Sequence, residues 1–200
     1  KVVNEIILKY KKPQIITANY VFANIDYVNK FTKLIKKLLS FDGIFVIQTG
    51  YHPSQMKKKM FDYIYHEHFS YFSLKALKNL YEKCGLQIID VEKKTPKGGS
   101  LKITAQHKFG KRKVHSSVKK ILKEENNRKI HTKSFFIDFA KKIHYQKSLV
   151  LKNLEKIKKN NPSIAGFGAS HSTTILLHHF ELQSFVKYIV DDNKLKHGLY

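Results

Sequence analysis

The stretch Gln14-Ile-Ile-Thr-Ala-Asn-Tyr-Val21 is a short apolar run, and the helical pattern directly after it decides the fold. Val28, Phe31, Leu34, Ile35 and Leu38 recur at helical spacing with lysines opposite them, and Asp26 stands where an N-cap is expected. Asp42-Gly43 then turns the chain into a second apolar run, Ile44 to Ile47. Strand, helix and strand in that order are the habit of a βαβ unit around a parallel sheet. Further along, Ser73 to Lys83 predicts a second helix stopped near Gly85, and Leu86 to Val91 a third strand. After Gly98-Gly99, Leu101 to Ala105 is expected as a fourth strand, an antiparallel edge to the sheet. From Lys111 to Asn161 strand signals vanish, while Phe135, Phe139, Ile143, Leu149 and Leu154 recur at helical intervals, as in a helical connector. The α/β grammar resumes at Ser163 with a strand to Gly166-Phe167-Gly168, a helix over Thr173 to Phe180, and a strand over Val186 to Val190. The expected fold class is therefore α/β, with domains over 1–110 and 162–200 joined by a connector over 111–161.

Two hundred residues, 42% of them hydrophobic and 12% aromatic, suffice to bury a core in one large or two small domains. No apolar run approaches the ~18 residues of a membrane span, and no secretory signal opens the chain. The expectation is a soluble, cytoplasmic protein without a membrane partner. The chain begins at Lys1 rather than Met and is expected to be a fragment. The single cysteine, Cys84, excludes an internal disulfide or a cysteine-built zinc site within this stretch. A net charge of +23, from 38 basic against 15 acidic residues, invites a nucleic-acid partner. Only Arg112 and Arg128 are arginines, however, whereas phosphate and base recognition favour the bidentate guanidinium. The lysines are spread along the chain like a solvated surface, so no nucleic-acid partner is expected; an anionic small molecule suits the charge equally well.

Chemistry concentrates between Tyr51 and Phe72, where Tyr65, His66, Glu67 and His68 stand together just past a predicted strand end. Open α/β sheets bind ligands at that carboxyl edge. In a helix Tyr65 and His68 would share a face; in an extended segment Tyr65 and Glu67 would lie on one side and the two histidines on the other. Either geometry makes an acid-base cluster: an imidazole that titrates near neutrality, a carboxylate that fixes its tautomer, and a phenol that donates to a developing oxyanion. His66, Glu67 and His68 have no further ligand at a recognisable spacing, so no metal is expected here. The turn Gly166-Phe167-Gly168-Ala169-Ser170 follows a strand and opens a helix, where backbone amides can cradle a phosphate. His171 replaces the third glycine of a dinucleotide fingerprint, although Asp191-Asp192 supplies the acid expected after the next strand. A nicotinamide-dependent sugar-nucleotide oxidoreductase is the alternative enzyme that this turn suggests, and a basic nucleic-acid-binding module is the alternative that charge alone suggests.

Five motifs together carry a resemblance: Ile16-Thr-Ala-Asn-Tyr-Val-Phe-Ala-Asn-Ile-Asp26, Tyr65-His-Glu-His-Phe-Ser-Tyr-Phe-Ser73, Gly98-Gly-Ser-Leu101, Gly166-Phe-Gly-Ala169, and Val190-Asp-Asp-Asn193 with Lys196-His-Gly198. In order and spacing they resemble the sugar C-methyltransferases across essentially the whole chain. The resemblance implies the C-terminal part of a class I, Rossmann-like methyltransferase domain that binds S-adenosylmethionine. A helical connector and a second, partial Rossmann-like α/β domain that holds a nucleotide-linked 4-keto-deoxysugar would come next. It implies His68 as the base that removes the proton next to the ketone, with Tyr65 and Glu67 orienting it or stabilising the enolate. Asn19 is the implied cofactor contact; His66, Gly99 and Ser100 fall to the substrate cleft, and Gly166, Gly168 and Ser170 to the sugar-nucleotide diphosphate. The family's cysteine-rich zinc region and glycine-rich cofactor loop are expected upstream of Lys1, so the fragment alone is expected to bind the cofactor poorly. Asn24, Gln48 and Lys97 depart from the residues common in the family, and the resemblance sets neither the sugar nor the oligomeric state.

Overall fold

Burial on one face of each element, read against the pleat and the helical period, accounts for most of the fold seen in a computed structural model that describes residues 2–160 and 163–198. Lys1, Leu199 and Tyr200 lie outside the described residues. So do Asn161 and Pro162, where the connector is expected to end and the last domain to begin. The chain divides into two compact units, one of residues 1–58 and 67–135, the other of 59–66 and 136–200. The division is not the expected one: the first of the two connector helices packs with the first unit, and a short excursion at 59–66 belongs to the second.

In the first unit, β1 (Ile15–Asn19) lies parallel to β2 (Ile44–Gly50), Ile15 facing Ile44 and Asn19 facing Gln48. The connection is α2 (Val28–Leu38). It leaves through Gly43, where a Cβ would stand 2.7 Å from Leu39 Cδ1 and 2.8 Å from the carbonyl of Gln14, so a side chain would force the turn apart. The other strands, β3 (Leu86–Lys94) and β4 (Ser100–His107), complete the order β1-β2-β4-β3. The fourth strand is antiparallel as expected, but it sits inside the sheet between β2 and β3, and β3 is the edge. Pairing on both sides explains its burial: Leu101, Ile103 and Ala105 are fully enclosed.

Phe45 and Ile47 of β2 point to the same core, covered by α4 (Leu74–Lys83) and α5 (Ser116–Asn127). Leu74, Leu77 and Tyr81 form the buried stripe of α4, whose N-cap Ser73 accepts from the Ala76 amide at 3.1 Å. The expected cap at Asp26 is not formed. The residue before α2 is Tyr27, which makes no side-chain capping bond, and a 3-10 turn at Phe22–Asn24 takes up the chain ahead of it. That turn exists because Phe22, fully buried, packs against Phe31, Phe45, Phe72 and Tyr81 with ring centroids 5.6–6.2 Å apart. A helix α1 (Val2–Tyr10), with no buried residue, and a short helix α3 (His52–Lys57) have no counterpart in the sequence pattern.

The second unit contains most of α6 (Lys133–Asn160), β5 (Ile164–Phe167), α7 (His171–Phe180) and β6 (Val186–Val190). β5 and β6 form a parallel pair, the βαβ echo expected from the sequence. Its core is Ile143, Phe180 and Leu182, with Phe139, Leu154 and Leu177 around them. Phe61 stacks on Phe180 at 4.9 Å, which is why the 59–66 excursion belongs here.

Candidate functional site

Where β1 and β2 end and β4 begins, the first unit gathers polar side chains at one edge of its sheet. Asn19 ends β1 with its side chain exposed. Tyr20 comes next, its amide donating to the Gln48 carbonyl at 2.7 Å. Gln48 Nε2 donates to the Tyr20 hydroxyl at 2.8 Å and to Ser100 Oγ at 3.1 Å, and the Tyr20 hydroxyl donates to Ser100 Oγ at 3.2 Å. The Lys97 ammonium lies 4.5 Å above the Tyr20 ring. Gly99 and Ser100 are both buried, and at Gly99 (φ +127°) a Cβ would sit 2.6 Å from Ser54 Cβ, so the close approach and the backbone both require glycine. The Gly99 carbonyl accepts from the Tyr51 amide at 2.9 Å, tying this turn to the end of β2.

The run Tyr65 to His68 is neither helical nor extended: it is an irregular loop with a turn at His66-Glu67, so neither expected geometry holds. The reason lies in what flanks it. On one side Phe61 is stacked into the second unit's core; on the other Phe72 is buried in the first unit's core. The chain passes between the units at His66-Glu67. Within the second unit Tyr65 stacks on His171, centroids 5.5 Å apart at 28°, and His66 meets the same ring edge-on at 5.3 Å and 85°. His171, which the sequence marks only as a missing glycine, is thus an aromatic platform; nothing in the spacing of the chain signals it.

In the first unit His68 is half-buried and packs edge-on against Tyr71, centroids 5.8 Å apart, while Tyr71 also packs against His52 at 5.1 Å. Burial holds the His52 imidazole below its ordinary value of 6.5, with a hydrogen bond donated by the ring to the Gln55 side chain opposing the shift. Backbone bonds fix the loop that carries His68: Phe69 and Ser70 donate to the Ala23 carbonyl at 2.9 and 3.2 Å, and His52 donates to the Phe72 carbonyl at 3.0 Å. Glu67 is exposed, in a loop that is anchored on the residues just beyond β1.

In the second unit the glycine-rich turn is closed by its own chain. Gly168 donates to the Val190 carbonyl at 2.7 Å, Ala169 to Asp191 Oδ2 at 2.7 Å, and Ser170 to Thr173 Oγ1 at 3.3 Å. Asp191 also accepts from the Asn193 amide at 2.9 Å and from Lys196 Nζ at 3.0 Å. These bonds hold its carboxyl down at about 2, the backbone amides of Asn193 and Ala169 contributing most. The amides that a phosphate would be expected to take are therefore engaged within the chain, Gly168 by the Val190 carbonyl, Ala169 by the Asp191 carboxylate and Ser170 by the Thr173 hydroxyl. The acid that a dinucleotide ribose would need is engaged in the same bonds.

Residues 95–200 match the family model described as the C-methyltransferase C-terminal domain, and residues 4–91 match one described as a methyltransferase domain. Among curated proteins, the C-methyltransferase NovU of Streptomyces niveus is 28% identical over 195 residues, which is 97% of this chain and 46% of that protein. The chain thus spans about half the length of the relative it matches. Among solved structures, TnmH aligns with 47% of this chain and 30% of its own at 18% identity and a TM-score of 0.35. M1.HpyAVI aligns with 98% of this chain and 88% of its own at 10% identity and a TM-score of 0.36.

Proposed function

The chain belongs, over residues 95–200, to the family of C-methyltransferase C-terminal domains, and we propose that it is part of an S-adenosylmethionine-dependent C-methyltransferase. Its acceptor in this reading is the ring carbon next to the ketone of a nucleotide-linked 4-keto-deoxysugar. The observation that carries the reading is His68, half-buried in a loop tied by its backbone to Ala23 and by Phe72 to the core, at the edge where β1 and β2 end. A base that must meet one carbon-bound hydrogen has to be held, and this imidazole is.

In the proposed chemistry the neutral His68 imidazole accepts the proton from the carbon beside the ketone. The C–H electron pair becomes the enolate double bond, and the carbonyl oxygen takes up the charge. Glu67, next in the chain, is the proposed carboxylate that fixes the tautomer of His68, and Tyr65 the proposed donor to the enolate. S-adenosylmethionine, when bound, supplies an electrophilic methyl carbon on a positively charged sulfur. The side chain of Asn19, exposed at the end of β1 with both a donor and an acceptor to offer, fits the polar side of a pocket for that cofactor. His66, Gly99 and Ser100 remain the proposed substrate contacts. For the diphosphate expected at Gly166, Gly168 and Ser170, the turn offers the Lys196 ammonium in place of its engaged amides; two of the ammonium's donors go to the Ala169 carbonyl and Asp191.

Incubating the full-length protein with S-adenosylmethionine and thymidine diphosphate 4-keto-6-deoxyglucose, chosen as a probe, tests the reading. The expected result is a methylated sugar nucleotide and S-adenosylhomocysteine in equal amounts, both lost in His68→Ala. Methylation that proceeds unchanged in His68→Ala would remove the assigned base.

A further inference from the structure

Tyr20 is a bulky residue held at φ 53°, in the left-handed region that such side chains adopt only when their surroundings enforce it. Lys97, whose ammonium covers its ring, is held at φ 54°. Two strained backbones thus serve one small cluster of Tyr20, Gln48 and Ser100, at the edge where the His68 loop is anchored. The anchor, the Ala23 carbonyl, belongs to the turn that directly succeeds Tyr20 and Val21.

The hydrogens in this cluster can be counted. The Gln48 carboxamide has two, and both are spent, one on the Tyr20 hydroxyl and one on Ser100 Oγ. The two hydroxyls have one each, and a single bond joins them. One O–H is therefore left over whichever oxygen donates to the other. Ser100 is buried while Tyr20 is only partly so, and the cluster lies at the carboxyl end of β1, beside the exposed Asn19. A preorganised hydroxyl with an unspent hydrogen, beside an ammonium and next to the loop of the proposed base, suits an oxygen that gains negative charge.

We propose that the Tyr20–Ser100 hydroxyl pair, positioned by Gln48, donates a hydrogen bond to the ketone oxygen of the acceptor as that oxygen becomes an enolate. The inference rests on the C-methyltransfer reading above. No further proton transfer is required: the hydrogen stays on its hydroxyl, and the negative charge on the substrate oxygen is stabilised in place. Tyr20 and Ser100 are catalytic residues in this scheme, and Gln48 is a positioning residue.

The test uses the full-length protein with the same probe ketosugar and three variants: Tyr20→Phe, Ser100→Ala and the double variant. Methyl transfer is measured as kcat and KM, and thermal unfolding is followed for each protein. Each single variant is expected to lower kcat by about 10- to 1000-fold with KM within about threefold of the parent. The double variant should fall no more than about threefold below the weaker single, because the two hydroxyls deliver one hydrogen. Ser100→Ala is the small change that keeps the test open if Tyr20→Phe lowers the unfolding temperature. Singles that keep kcat within threefold, losses that multiply in the double variant, or a rise in KM alone would overturn the pair. A wild-type protein that leaves every ketosugar unmethylated would instead remove the reading beneath it, whereas wild-type activity with indifferent variants removes only this inference.

Discussion

Glu125 shows how far a single residue can stand from its apparent role. In the chain it is one acid among the lysines of a helical connector. In the fold it is buried, accepting from the Tyr51 hydroxyl at 3.0 Å and from the Leu74 and Lys75 amides at 2.7 and 3.0 Å. A carboxylate at the first amides of α4 satisfies donors that a helix start leaves open and meets the positive end of its dipole. Burial, and then the charge of Glu125, push the Tyr51 phenol far above its ordinary range, so it stays a donor at every working pH. Glu125→Ala leaves a hydroxyl and two amides unpaired in the interior and should cost about 3–5 kcal/mol of unfolding free energy. Denaturant titration reads this directly; a loss under about 1 kcal/mol would contradict the role. The donors of its three hydrogen bonds lie 50 to 74 positions away, which no local pattern reveals. His68, the proposed base, stands out for the opposite reason, since Tyr65, His66 and Glu67 stand beside it in the sequence. Tyr20 is visible only as the end of an apolar run, because its partners come from two other strands.

Among the elements, the sequence pattern locates all six strands among the described residues and the helices α2, α4 and α7. What it misses has a physical cause in each case. No residue of α1 is fully buried, so no core pattern marks it. The start of α2 is set by the burial of Phe22 rather than by the carboxylate of Asp26. The position of β4 depends on which neighbours it pairs with, and alternation along one strand does not contain that. The Tyr65–His68 loop has no period because its flanks are anchored in separate cores. The turn between β5 and α7 makes its own pH prediction. Asp191 has its carboxyl lowered from 3.8 to about 2 by bonds that exist only in the fold. A depressed folded value means stabilisation that is complete above the unfolded value and lost as pH falls through the folded one, here between 3.8 and about 2. Asp191→Asn should lower the unfolding midpoint at pH 7 and flatten the pH dependence over that window. A variant whose acid unfolding tracks the parent throughout would show that the carboxylate does not pin the turn.

For the molecule taken entire, composition and grammar establish the α/β class and its two-part character. The division itself obeys packing: Phe61 on Phe180 draws residues 59–66 into the second unit, and Val118, Ile121 and Glu125 draw α5 into the first. Among the described residues no helix is long and apolar enough to cross a membrane. Family membership concerns the chain, and the chemistry proposed for it concerns one proton on one carbon. That proton can be tracked alone. The full-length protein, with probe ketosugar in deuterium oxide and no methyl donor, should exchange the hydrogen beside the ketone. His68→Gln should slow that exchange by about 100-fold or more. Exchange at the wild-type rate in His68→Gln would mean that another group takes the proton.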